Sequence, residues 1–380
     1  MPSTATQSEA TESAKAVVHG LTVLIAHTKR DISLKKEPPN LSHYRVLPDN
    51  LQTAYALLHQ GATLVRATAT KYALVGAIDT KDQGSLGTDL LKGCELIGAA
   101  CHVTMPDPNG CSRALREYTQ KAALSIFVAT LKLVEAFYPQ LASSKQTISV
   151  ASKDNNVGAQ RTGAVWEACD HILNKMLPQG NRNAMRRELF TLTRECNDTM
   201  EEFQELVELG PRDETEEQNV EHEEEEDDYF GNDEDDQYSE LELPMAQACL
   251  GLLKNSRGNM KVALEACEAL GKLEQESGES EKSKHLRAIL TTHGHAKKVG
   301  EGVTDLGSLL YPPLQPSDLR DGLLQQAEFI VEFQDYLLGL EQPLPSNVTK
   351  LAQTLKTSTE NKQRDFLEAL EKYRASDAGN

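Results

Sequence analysis

Apolar residues recur at three- and four-residue steps along most of the chain, and no stretch keeps the strict alternation of a half-buried strand bounded by hairpin turns. Val17, Leu21, Leu24, Ile25 and Ile32 mark a first helix that Pro38-Pro39 must end. Asp49 is a suitable N-cap for a second, running through Leu51, Ala54, Leu58, Leu64 and Val65 to about Ile78. A third carries Leu90, Leu91, Cys94, Ile97 and Cys101 and stops at Met105-Pro106; a fourth runs from Leu115 to Phe137, before Pro139. After a polar, glycine-punctuated connection from Ser143 to Thr162, a fifth helix holds Val165, Trp166, Cys169 and Ile172, and a sixth runs from about Asn183 to Val207, closed by Pro211.

The pattern resumes at Leu241. A seventh helix reaches Leu270 and is broken by the polar patch Glu274 to Ser283. The eighth, from Leu286 to Leu310, contains Gly294, Gly300, Gly302 and Gly307, each costing roughly 1 kcal/mol against alanine, and is expected to kink or break. A ninth starts with Ser317 as N-cap and ends at Gly339; the tenth starts at Ser346. The expected fold is all-α: about ten long helices in two antiparallel bundle-like parts, residues 13–210 and 243–375, joined by a disordered acidic linker at 211–242, with residues 1–12 disordered.

Charge sharpens this division. The chain of 380 residues carries a formal charge of −19, and the stretch from Asp213 to Glu242 holds 17 acidic residues with no Lys or Arg, so the rest is close to neutral. A nucleic-acid binder needs a clustered excess of basic residues, which is missing here. Met1 to Ala16 has no basic n-region, no apolar run nears the roughly 20 residues that span a bilayer, and seven cysteines lie scattered without a C-x-x-C pair. These features point to a soluble intracellular protein with reduced thiols.

Candidate chemistry does not converge. His293-Gly294-His295 is the only close histidine pair, and its two-residue spacing sends the rings in different directions, so it reads as a solvated turn rather than a metal site. Glu167 stands four residues before His171, not the three of a di-iron bundle motif, and has no second copy. Gly84-Ser85-Leu86-Gly87 lacks the third glycine and the strand of a phosphate loop, and reads as a helix N-cap at Ser85. Cys94 and Cys101 share a helix face and read as core, as does Trp166. No G-x-S-x-G is present, and the expectation is a protein without catalytic, cofactor or metal residues.

The acidic stretch is the strongest signal. Glu223, Glu224, Glu225, Glu226, Asp227 and Asp228 are consecutive, Tyr229 and Phe230 follow, and Asp233, Glu234, Asp235 and Asp236 complete the candidate interaction segment. Like charges one helical turn apart oppose a helix, and little apolar surface offsets the ordering entropy. The stretch is either a solubilising linker or, through its aromatic islands, a contact for basic partners. Ser239, followed by Glu240 and Glu242, is a candidate site for an acidophilic kinase, where a phosphate would face a helix N-terminus.

Lys81-Asp82-Gln83-Gly84 before a helix with Leu91-Lys92-Gly93, then Val165-Trp166 with Ala168-Cys169, resembles the cyclin-D1-binding protein 1 family, also called Grap2 and cyclin-D-interacting protein. Met200-Glu201-Glu202 ahead of the acidic insertion, Leu252-Leu253-Lys254, and Leu310-Tyr311-Pro312-Pro313 continue the likeness in the same order over roughly residues 75 to 315. The resemblance implies a non-enzymatic regulator of nucleus and cytoplasm that binds D-type cyclins and helix-loop-helix transcription factors and restrains cell-cycle progression and transcription. It transfers no residue-level site. The residues agree on one point: no helix carries the basic block needed to enter a major groove. Two other classes fit the residues alone, an acidic chaperone for basic nuclear proteins and a vinculin- or catenin-like cytoskeletal adaptor.

Overall fold

The computed structural model describes residues 4–34, 49–75, 80–104, 112–141, 156–174, 176–212, 237–341 and 344–377. The fold is all-α: ten α-helices and no strand among the described residues. They are α1 (Thr4–Leu34), α2 (Asp49–Val75), α3 (Thr80–Ala99), α4 (Arg113–Phe137), α5 (Asn156–Leu173), α6 (Asn181–Glu208), α7 (Leu243–Glu276), α8 (Glu279–Gly307), α9 (Pro316–Leu338) and α10 (Ser346–Asp377), with a π-helical turn, Ala100–Thr104, prolonging α3. The chain divides into two compact units, Met1–Met185 and Arg186–Asn380.

In the first unit the helix neighbours are α1–α3–α2–α5–α4, with α4 returning to α1 to close a ring. Small residues set how closely these helices approach. A Cβ built on Gly61 of α2 would lie 2.6 Å from the Gly93 carbonyl oxygen of α3, and one on Gly93 would lie 2.6 Å from Val65, so the two backbones touch where side chains are missing. Leu21, Leu58, Leu90, Ile97, Phe127 and Val165 fill the space inside the ring. Ser112 caps α4, its Oγ accepting the Leu115 N–H at 3.1 Å.

The second unit is a four-helix bundle in which α7 adjoins α8 and α10, and α9 adjoins α8 and α10. The apolar face of α6 (Leu189, Leu192, Cys196, Met200 and Phe203) belongs to the same core as Leu253, Val299, Phe333 and Phe366. The boundary expected at residue 210 therefore differs from the observed division by one helix. In chain order the acidic stretch falls between α6 and α7.

Several local expectations change. α1 is helical from Thr4, through residues expected to be disordered, and α5 starts at Asn156 within the presumed connection. Ser85 lies inside α3 and caps nothing. α9 opens on Pro316 with Gln315 at the N-cap, because proline's fixed φ suits the first helical position, and Ser317 falls within the first turn. α8 runs unbroken through its glycines. Gly300 lies against Leu192, Gly302 against Gln326 and Gly307 against Thr199, so packing offsets their backbone entropy. The expected disorder of the acidic linker concerns residues 213–236, which lie outside the described residues.

Candidate interaction sites

On the first unit, α2 and α5 present a polar-aromatic cluster. Val165, Ala168, Cys169 and Ile172 point α5 into the core. Trp166, one step round the helix, is left at the edge and is 38% exposed. Its Nε1–H donates to Thr70 Oγ1 at 3.2 Å. The Arg66 guanidinium lies over the indole, 5.3 Å from the ring centroid, and its Nε donates to Asp170 Oδ1 at 3.1 Å. Two α2 residues one turn apart are thus matched to two α5 residues one turn apart. The Arg66–Asp170 pair is too exposed to stabilise the fold much. Its effect is to hold a cation on the indole face and to fix the ring's orientation. Leu74, one turn beyond Thr70, is 67% exposed. An indole held rigid at the surface beside an exposed leucine is the residue chemistry of an interface anchor. Trp166 is thus on the rim and not, as its apolar spacing suggests, a packing residue. Its partners lie about a hundred positions away, where no local pattern shows them.

On the second unit, the ends of the acidic stretch are tied together. Pro211 and Tyr238 form an isolated parallel bridge, and the Arg212 N–H donates to the Tyr238 carbonyl at 2.8 Å. The Tyr238 side chain is wholly buried and its hydroxyl donates to the Leu310 carbonyl at 2.6 Å; burial pushes the phenol well above its ordinary value. Ser239 and Glu242 then bond reciprocally across the turn that leads into α7, in the pattern of a capping box. The Glu242 N–H donates to Ser239 Oγ at 3.2 Å, and the Ser239 N–H donates to Glu242 Oε2 at 2.9 Å. The other carboxylate oxygen of Glu242 accepts the Leu314 N–H at 2.7 Å, fastening α7 to the α8–α9 connection.

This geometry bears on Ser239 as a modification site. The S-x-x-E spacing that marks it for an acidophilic kinase is the spacing of the capping box, and Glu242 is buried. A kinase would meet a half-buried hydroxyl already engaged by the backbone. Glu223 through Phe230 and Asp233 through Asp236 lie outside the described residues.

Other candidates separate. His293 meets Glu188 at 3.0 Å on the α6 side, whereas His295 stacks on Tyr336 at 5.1 Å between centroids, so the two rings face apart. No group of three His, Cys, Asp or Glu among the described residues could hold a metal ion. Cys94 is buried with its Sγ 3.9 Å from Thr130 Oγ1, and Cys101 is buried as well. Burial pushes the Cys94 thiol well up and those of Cys169 and Cys196 to about 12, which keeps them protonated and unreactive. No described helix is long and apolar enough to cross a membrane.

Comparison with known proteins places these features. Residues 57–209 match the model of the family Grap2 and cyclin-D-interacting, N-terminal. The matched part contains Arg66, Thr70, Trp166 and Asp170. The chain is similar to the cyclin-D1-binding protein 1 homolog of Xenopus laevis, with 26% identity over 260 residues, covering 68% of this chain and 71% of that protein. The family is named for an interaction and not for a reaction. The likeness read from the motifs and these two matches agree, and the chain is similar to the Grap2 and cyclin-D-interacting protein family.

Proposed function

We propose that this chain is a non-enzymatic regulator that binds a D-type cyclin through its first unit, with Trp166 as the anchor. The observation that carries the reading is that the family-matched part holds an exposed indole fixed by Thr70, Arg66 and Asp170. Similarity to the family suggests the partner class, and the geometry supplies a surface on which truncation should be felt. The direct test is a binding titration of the full chain with a purified D-type cyclin. Saturable binding that weakens at least about tenfold in Trp166→Ala supports the reading, since anchor aromatics carry such losses. Absence of binding by the unaltered chain overturns it. Binding that ignores Trp166→Ala but vanishes when residues 213–236 are deleted moves the contact to the acidic stretch.

On the same reading, the complex restrains cell-cycle progression and transcription, binding extends to helix-loop-helix factors, and the protein acts in nucleus and cytoplasm. Raised expression should delay entry into DNA synthesis, and Trp166→Ala should not. An equal delay by both would separate the cellular effect from this surface. Control by phosphorylation at Ser239 belongs to the same proposal. Because the hydroxyl is engaged by the Glu242 N–H, modification of the folded chain should be slower than that of an unfolded peptide carrying Ser239 to Glu242, and a kinase assay on the two measures that; no modification of either removes Ser239 from the proposal.

A further inference from the structure

The charges of α6 follow an order that its own stability does not explain. Residues 181–194 carry Arg182, Arg186, Arg187 and Arg194 against the single acid Glu188, whereas residues 195–208 carry only acids, from Glu195 to Glu208, and no base. A helix dipole favours acids in the first turn and bases in the last, and α6 has neither. Glu188 does not soften the basic half. Its carboxylate is turned to α8, where it meets Lys297 and, at 3.0 Å, His293 Nε2. Arg186, Arg187 and Arg194 are exposed, and so is Phe190 between them, at 51%. The Arg186 guanidinium lies over that ring, 5.5 Å from its centroid. Leu189 and Leu192 supply the buried face here, so the core makes no use of Phe190. Arg186 meets no carboxylate among the described residues, and Arg194 approaches Asp198 only to 3.6 Å, in an exposed pair worth little.

A cation on an aromatic face keeps its N–H donors, because the ring attracts its charge. Arg186, Phe190 and Arg194 thus present donor, ring and donor at steps of four residues, about 6 Å apart along the helix. Alternate residues of an extended chain face one side at nearly the same step, about 6.6 Å. We propose that this face of α6 docks a short, extended acidic segment of a protein partner, with carboxylates on Arg186 and Arg194 and an apolar side chain between them on Phe190. Arg187, one step round the helix, adds a third positive charge beside them. The segment must be short, because from Glu195 onward the same helix turns acidic and repels a longer anionic run. That also sets nucleic acid aside, whose continuous phosphates would cross onto those acids and draw on more cations than these. Arginine in place of lysine throughout this half suits carboxylates, which the planar guanidinium binds through two parallel bonds.

The test titrates the full chain with the capped peptide Ser-Glu-Ser-Leu-Ser-Glu-Ser, too short to hold a helix, and follows the backbone amide signals of α6. Saturable binding with a dissociation constant of about 0.1–1 mM is expected, weakening at least about fivefold between roughly 50 and 500 mM salt. Glutamine in place of both glutamates should weaken it at least about tenfold, and serine in place of the leucine about threefold. Arg186→Ala with Arg194→Ala should cost about tenfold and Phe190→Ser about threefold. The unfolding midpoint should hardly move, because all three positions are exposed. The inference is overturned if the peptide gives no saturable shift, or if the glutamine peptide or the double variant binds equally well. It is overturned if single-stranded DNA of eight nucleotides shifts the same signals at lower concentration than the peptide, which assigns the face to nucleic acid. Binding that arises only once residues 213–236 are deleted overturns it too, since the chain's own acids are then the occupant. None of these readouts involves a cyclin or Trp166, so the face stands or falls separately from the function proposed above.

Discussion

The two units solve the same packing problem by opposite means. In the first, α2 and α3 are brought together by absence: Gly61 and Gly93 remove side chains so that one backbone rests on the other. The buried threonine hydroxyls of α4 donate to their own helix, Thr119 to the Leu115 carbonyl and Thr130 to the Ile126 carbonyl, and polar contacts across the core are made by single groups such as the Cys94 thiol on Thr130 and the Tyr138 hydroxyl on Gln83. In the second, the bundle is threaded by side-chain amides that cross between helices. Asn255 Nδ2 donates to Thr359 Oγ1 from α7 to α10, Gln334 donates to Asn259 from α9 to α7, and Gln326 joins α9 to α7 and α8. Close apolar contact fixes a register by shape alone, whereas a buried amide fixes it by the cost of leaving a partner unpaired. The first arrangement is intolerant of added volume, the second of lost polarity.

The largest test of this contrast is Gly61→Ala. The new methyl group meets the Gly93 carbonyl, a backbone atom that cannot rotate away, so α2 and α3 must separate. The expected loss is about 3 kcal/mol, at the upper end for overpacking. Trp166 is the only tryptophan and lies in the first unit, so denaturant unfolding followed by its fluorescence should shift while the bulk of the helical circular dichroism of the second unit does not. Equal shifts in both signals would show that the units do not unfold independently.

The second test exchanges polarity for volume. Gln334→Met leaves the Asn259 carbonyl oxygen without its donor in a fully buried site, and should cost about 2 kcal/mol. Adding Asn259→Leu removes the orphaned group, and the double variant should recover most of that loss. Circular dichroism unfolding measures both, and the comparison fails if the double variant is as unstable as the sum of its parts.

How much of this was legible in the sequence follows the same divide. Helical periodicity located the ten helices because it records burial on a single helix, and that is a local property. Proline marks the end of α4, since its missing N–H acts within one turn, whereas α9 opens on Pro316 and not on the Ser317 cap that the pattern suggests. The place of Trp166 is not legible because Val165 and Cys169 set a phase that leaves position 166 on the margin, and one step round a helix separates core from rim. The S-x-x-E at Ser239 carries two meanings in sequence, a kinase context and a capping pattern, and the two hydrogen bonds show the second without testing the first. Gln326 looked like an ordinary polar position of α9, because its partners Ser256 and Val299 lie 70 and 27 residues away. Membership of α6 was out of reach for the same reason. Its apolar stripe fits either bundle, and the choice rests on contacts such as Leu192 against Gly300.

A smaller effect sharpens the description of the second core through pH. His295 stacks on Phe333 and Tyr336, and its pKa is lowered, first by burial and then by Lys298, with Glu332 opposing. A histidine with a lowered folded pKa binds fewer protons when folded than when unfolded. Its contribution is therefore fully present above the ordinary value near 6.5 and is lost as pH falls through the folded pKa. Thermal unfolding of the unaltered chain should weaken below about pH 6.5, and His295→Phe, which keeps a ring in the stack, should weaken less over the same interval. Identical pH dependence in the two proteins would remove His295 from the account.

The smallest expected effect is the one on which both units should agree. Gly163 of α5 and Gly294 of α8 are exposed mid-helix glycines with nothing within 4 Å of a Cβ built on them. Neither allows a close approach, so neither has the compensation that Gly61 or Gly300 receives. Alanine at either position should stabilise the chain by about 0.5–1 kcal/mol, through the entropy of the unfolded backbone and better helix propensity. Gly163→Ala should raise the midpoint reported by Trp166 fluorescence, and Gly294→Ala the midpoint of the remaining circular dichroism. If Gly163→Ala leaves the fold intact but weakens partner binding, the open space beside it is used: it lies on the same helix as Trp166, three residues before it. The glycine would then belong to the interaction surface of the first unit, and its helix-weakening cost would be explained by contact with a partner instead of by packing.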